Sequence, residues 1–157
     1  MRRLIILVLA AMLVGLTGCG KFREIEVRSA KVEGMSPYGL RGVDVKLAVE
    51  IDNPAMQIKL YDMQADVEYC GKVLGKVTVD PFTMKGRTVG TYHLNARMTL
   101  DEGVSLYDAL MLLDKGFMDK CLLDIAVKGK LKGGLSKKIT KNDVPLKKLM
   151  QYADKKK

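Results

Sequence analysis

The chain has one histidine, three cysteines and no apolar run long enough to cross a bilayer as a helix. Each scarcity removes a class of chemistry. His93 has no carboxylate or cysteine near it in sequence, so neither general-base work nor metal ligation is expected of it. No CxxC pair and no metal-spaced set of His and Cys occurs. The full phosphate-cradling motif GxxxxGK[ST] is absent too, and nothing around His93 suggests a Ser-His-Asp arrangement. The carboxylate pairs Asp44 with Asp52 and Asp101 with Glu102 fall at strand ends, where solvation explains them. The expectation is a chain with no catalytic residues, no metal and no cofactor.

What is present begins at the N-terminus. Arg2 and Arg3 precede eleven apolar residues, Leu4 to Val14, and Leu16-Thr17-Gly18-Cys19 closes the run. A helix spanning a bilayer needs roughly 20 apolar residues, so a secretory signal fits better than a membrane span. The alternative is a short buried core helix. The sequence LTGC resembles the lipobox of bacterial lipoproteins. That resemblance implies cleavage of residues 1–18, a diacylglyceryl-modified Cys19 at the new N-terminus, and a stable membrane anchor, since several acyl chains exceed what one chain can hold. Gly20 stands where Asp retains enterobacterial lipoproteins in the inner membrane, which implies the outer membrane, facing the periplasm.

With Cys19 assigned to lipid, Cys70 and Cys121 remain in an oxidising compartment. A bridge would close a loop of roughly 50 residues and contribute about 4 kcal/mol on the chain-entropy model; two separate thiols are the other reading. The charge is +9, and losing Arg2 and Arg3 lowers Lys plus Arg from 27 to 25 against 18 acids, leaving +7. The lysines are scattered along strand faces and in a terminal Lys155-Lys156-Lys157 run, so a solvated surface accounts for them. An exported compartment argues against nucleic acid as a partner.

The rest of the chain alternates. Val43, Val45, Leu47, Val49 and Ile51 give a strand of period two that must stop at Asn53-Pro54. Ile25 to Val32 predicts a strand with a bulge near Arg28 or Ser29, followed by a loop over Gly34 to Gly42. Ile58 to Tyr69 predicts a strand irregular near Tyr61-Asp62, joined by a Gly71-Lys72 turn to Val73 to Val79. Tyr92 to Leu100 and Leu123 to Leu131 are further strands, and Ser136 to Asn142 a lysine-protected edge. Leu106, Leu110 and Leu113 recur at helical spacing, predicting one short α-helix over 105–116. Strands that do not alternate with helices exclude a parallel sheet and predict an all-β antiparallel β-sandwich of the fibronectin-III or immunoglobulin kind.

The strand ending at Asn53-Pro54, the segment Tyr69-Cys70-Gly71-Lys72-Val73-Leu74-Gly75, the Leu-rich helix and the hairpin KGKLKGGL together resemble the type 2 late-embryogenesis-abundant (water-stress and hypersensitive-response) domain. The resemblance covers roughly Ile25 to Leu146, and Ala55 stands where a second Asn often does. It implies a fibronectin-III-like sandwich with no known catalytic residues and an association with desiccation or envelope stress. The expected organisation is therefore a signal peptide over 1–18, a lipidated Cys19 and tether over 19–24, a sandwich over 25–146 and a basic tail over 147–157. The expected function is a non-enzymatic envelope module with another envelope protein as partner. The alternative is a carrier of lipid or a small apolar ligand, its apolar space lying beside Leu106, Leu110 and Leu113.

Overall fold

Alternation of apolar and polar side chains forces extended structure on most of this chain, and the computed structural model describes residues 5–9, 24–105, 116 and 119–147. Among these residues eight strands form: β1 (Glu26–Tyr38), β2 (Gly42–Asn53), β3 (Ile58–Tyr69), β4 (Lys72–Val79), β5 (Phe82–Met84), β6 (Thr88–Leu100), β7 (Cys121–Leu131) and β8 (Ser136–Pro145). All pair antiparallel, in the order β1-β2-β6-β4-β3-β7-β8, with β5 alongside the start of β3. The halves meet where Gly75–Val79 of β4 pairs with Ala96–Leu100 of β6.

One side of every long inner strand is apolar. Val45, Leu47, Val49 and Ile51 of β2, Leu60, Ala65 and Val67 of β3, Leu94 and Met98 of β6, and Leu123 and Val127 of β7 are almost wholly buried in a single core cluster. Their neighbours in sequence face water. Because inward residues of both halves share one core, the sheet is folded on itself as an antiparallel, sandwich-like all-β structure.

Several local expectations hold. The bulge falls between Val27 and Ser29, and a register shift separates Tyr61 from Gln64, where Asp62 has φ of 48°. β8 is an edge. Others need correction. The loop expected over Gly34 to Gly42 is strand up to Tyr38, with only residues 39–41 in the turn, and a second shift near Gly34 absorbs the glycine. Pro37 is tolerated because β1 is itself an edge strand, where a missing amide need not break a ladder. The turn after β3 is Cys70-Gly71, with φ of 50° and 78°, not Gly71-Lys72. β5 was not anticipated, since three residues after Pro81 carry no readable period.

Ile5 to Leu9 are helical, and Ile5, Leu7, Val8 and Leu9 are buried within the same core cluster. The helix expected over 105–116 lies outside the described residues apart from its ends, as do Cys19 and residues 148–157. Among the described residues no helix is long and apolar enough to cross a membrane.

Candidate functional site

The strand directions give the sandwich two unlike poles. β1, β3, β6 and β8 start at one of them, where β2 and β7 end, and Glu24 lies there beside the Glu26–Asp52 pair. Cys19 is five residues before Glu24. Five extended residues reach at most about 18 Å, so Cys19 attaches to this pole. The opposite pole carries the turns at 39–41 and 70–71 and the segment after Leu100.

Asn53 and Pro54 sit at the Cys19 pole. Asn53 is fully buried, yet each polar atom of its side chain is engaged. Its Nδ2 donates to the carbonyls of Met56 (3.2 Å) and Lys85 (2.9 Å), and its Oδ1 accepts from the Ala55 amide (3.0 Å). The Arg87 amide donates to the Ala55 carbonyl (2.8 Å), closing the corner onto the loop before β6. Gly86 fits because it lacks a side chain: a Cβ would stand 2.5 Å from the Gln57 nitrogen. The Asn-Pro exit is therefore a clip between two loops, and the buried Asn53 side chain is not open to a ligand.

The outer face of β1, β2, β6 and β4 holds a cluster of polar pairs. Asp44 and Arg97 are directly opposite in the β2–β6 ladder. Arg97 Nε and Nη2 donate to the two Asp44 oxygens at 2.6 and 3.1 Å, and the guanidinium lies 3.5 Å over the Tyr38 ring. The hydrogen bond from Arg97 holds the Asp44 carboxyl below its ordinary pKa and raises that of Arg97. An open cleft of about 580 Å³ runs beside this pair, bordered by Glu33, Met35, Lys46 and Asp80. Asn95 donates to Asp80 at 3.2 Å. A face of self-matched pairs such as these fixes strand register and leaves little charge for an incoming group.

His93 is exposed on this face, and its Nδ1 stands 2.9 Å from Glu33 Oε2. Sequence reading found no carboxylate for it because Glu33 is 60 residues away; only the β1–β2–β6 ladder brings the two together. Asp52, read as half of a carboxylate pair with Asp44, instead meets Arg28. Asp101 accepts from the Glu102 amide at 2.9 Å, and Arg41 donates to the carbonyls of both residues. Among the described residues no group of three or more His, Cys, Asp or Glu could hold a metal ion.

Cys70 and Cys121 are brought to the same pole, the one opposite the start of β1. Cys121 is opposite Tyr69 in the β3–β7 ladder, so Cys70 is one residue from facing it. Both are thiols, Cys70 exposed and Cys121 buried. Burial, and then the neighbouring Cys70, pushes the Cys121 thiol up to about 11. A thiol so placed is inert at neutral pH.

No protein-family model and no curated protein matches the chain. Among solved structures it is similar to a crystal structure of a protein from Archaeoglobus fulgidus, at 13% identity and a TM-score of 0.42, over 74% of this chain and 97% of that one. A likeness of that degree carries no statement about what either protein does.

Proposed function

We propose that the protein is a lipid-anchored envelope lipoprotein, held by acylated Cys19 in the outer membrane facing the periplasm, and that its sandwich is a non-enzymatic binding or stress-protective module. The observation that carries this reading is LTGC at the end of an apolar run led by Arg2 and Arg3. The pole to which Cys19 attaches, and the short reach from there to Glu24, are compatible with a domain held close to the bilayer. Another envelope protein is the partner this reading calls for. The outer side of β1 offers backbone groups for strand addition, although two register shifts and Pro37 blunt it against pairing with itself. Growth on radiolabelled palmitate tests the anchor: label enters the wild-type chain and not Cys19→Ser. Equal labelling of both would refute it.

A second reading, a carrier of lipid or another apolar ligand, is favoured by one feature. The interior accepts Ile5, Leu7, Val8 and Leu9, four aliphatic side chains from a segment that cleavage would remove. An emptied apolar space stays dry and takes up hydrocarbon. Native mass spectrometry of the protein from cells would then find bound lipid on chains starting at Cys19 and none on chains retaining residues 1–18. Ligand-free mature protein would end this reading.

A further inference from the structure

The Cys19 pole carries Glu24, Glu26 and Asp52 on its β1–β2 side, and its β3–β7 side collects cations. Lys59, near the start of β3, is directly opposite Lys130, near the end of β7, and both are exposed. Like charges placed opposite each other in a ladder are destabilising, so this pair opposes folding. Lys132 lies in the adjoining turn, its amide near the Gln57 carbonyl. Together these three lysines border an open cleft of about 380 Å³ with Gln57, Thr83 and the Gly133-Gly134 turn, and no carboxylate lines it. Lys85 and Arg87 project from the neighbouring loop. None of the five cations takes part in a salt bridge among the described residues, whereas the Asp44, Asp62 and Asp66 carboxylates elsewhere each meet a cation.

An apolar tip stands beside the cleft. The β7–β8 turn is closed by the Leu131 amide donating to the Leu135 carbonyl at 2.8 Å and the Gly134 amide to the Leu131 carbonyl at 3.1 Å. It holds Leu135 at 76% exposure. Met56, half exposed, lies on the next loop. Cations with a projecting aliphatic side chain are the combination that binds an interface of acidic headgroups over hydrocarbon.

We propose that this pole is a docking surface for a membrane rich in anionic phospholipid, the lysine cleft receiving headgroup phosphates and Leu135 entering the acyl boundary. The proposal rests on the anchored reading above, because acylated Cys19 would hold the same pole against the bilayer. The two act together: the anchor retains the domain, and the pole sets its orientation, with the Arg97 face and the thiol pole turned aside or away.

Flotation of the full chain with phosphatidylglycerol-containing vesicles, against vesicles of phosphatidylcholine alone, tests this. All chains carry Cys19→Ser and retain residues 1–18, so acylation and the N-terminal segment are constant. Each cation near an anionic surface contributes about fivefold to partitioning; Lys59→Gln, Lys130→Gln and Lys132→Gln together should therefore weaken binding by roughly a hundredfold. The charge-matched set Lys72→Gln, Lys120→Gln and Lys147→Gln, exposed at the other pole, should change it less than threefold. Leu135→Ser should also weaken binding, with the fold intact by circular dichroism. Equal losses from both lysine sets would overturn the proposal in favour of overall charge. Tight binding to soluble polyphosphate that ignores Leu135 would also overturn it, assigning the cleft to acidic polymers. Failure here with palmitate still entering Cys19 rejects the docking surface alone; lysine-dependent binding without palmitate labelling rejects the anchor alone.

Discussion

Truncating Asn53 to alanine should unclip the corner that joins β2 to the loop before β6. The side chain is fully buried and makes three hydrogen bonds, one to the Ala55 amide and two to the carbonyls of Met56 and Lys85. The amide is buried, and losing its partner exposes the fold to the desolvation penalty of an unmade bond, about 1–3 kcal/mol. The two carbonyls are half-buried on exposed residues, where water partly replaces the amide, so each is worth about 0.5–1 kcal/mol. The sum is about 2–5 kcal/mol, a large share of the stability of an ordinary domain. For a chain of this length each kcal/mol moves the midpoint about 2–4 °C, which predicts a fall of about 10 °C in a thermal melt followed by circular dichroism. Urea unfolding should show a lower midpoint at unchanged slope. Asn53→Asp keeps the acceptor for Ala55 but sets a carboxylate against two carbonyls, so it should fall at least as far. A loss below about 0.5 kcal/mol for Asn53→Ala, the size of an ordinary surface change, would refute the clip.

Gly86→Ala should destabilise by about 1–3 kcal/mol in the same melts, because the added Cβ meets backbone atoms of Ala55, Met56 and Gln57 at 2.5–2.9 Å. In a Cys19→Ser chain, an aromatic disulfide reagent at neutral pH should titrate one thiol, Cys70, and a second only after unfolding. The buried Cys121 thiol has its pKa raised from 9.0 to about 11, so its contribution to stability is complete below pH 9 and lost as pH rises through about 11; Cys121→Ala should flatten that alkaline slope. The Asp44 carboxyl, held down by Arg97, contributes stability above the ordinary value of 3.8 that is lost as pH falls through its depressed midpoint. NMR titration should find that midpoint below 3.8 and moving back toward it in Arg97→Ala.

What could be read in advance followed from period. Gly42 to Asn53, Tyr92 to Leu100 and Leu123 to Leu131 alternate without interruption, and each is a strand whose apolar side is buried. Where side chains carry two signals, the period lost. Gly34 and Pro37 look like loop punctuation, and an edge strand with a bulge accommodates both. β5 is too short to have a period. Pairings set by topology were hidden for a different reason. His93 with Glu33, Arg97 with Tyr38, and Lys59 opposite Lys130 are separated by long stretches of chain, and only the order β1-β2-β6 and the β3–β7 ladder join them. The lysines looked scattered because their spacing in sequence says nothing about which pole they reach. Asn53 was legible as a strand exit, but its role as a donor to Lys85 needed the returning loop.

The most direct measurement of the anchored reading is the mass of the N-terminal peptide from protein extracted from its own membranes. The account predicts a chain beginning at Cys19 with acyl groups added to that residue. An unmodified Cys19 within a chain that still carries residues 1–18 would contradict it.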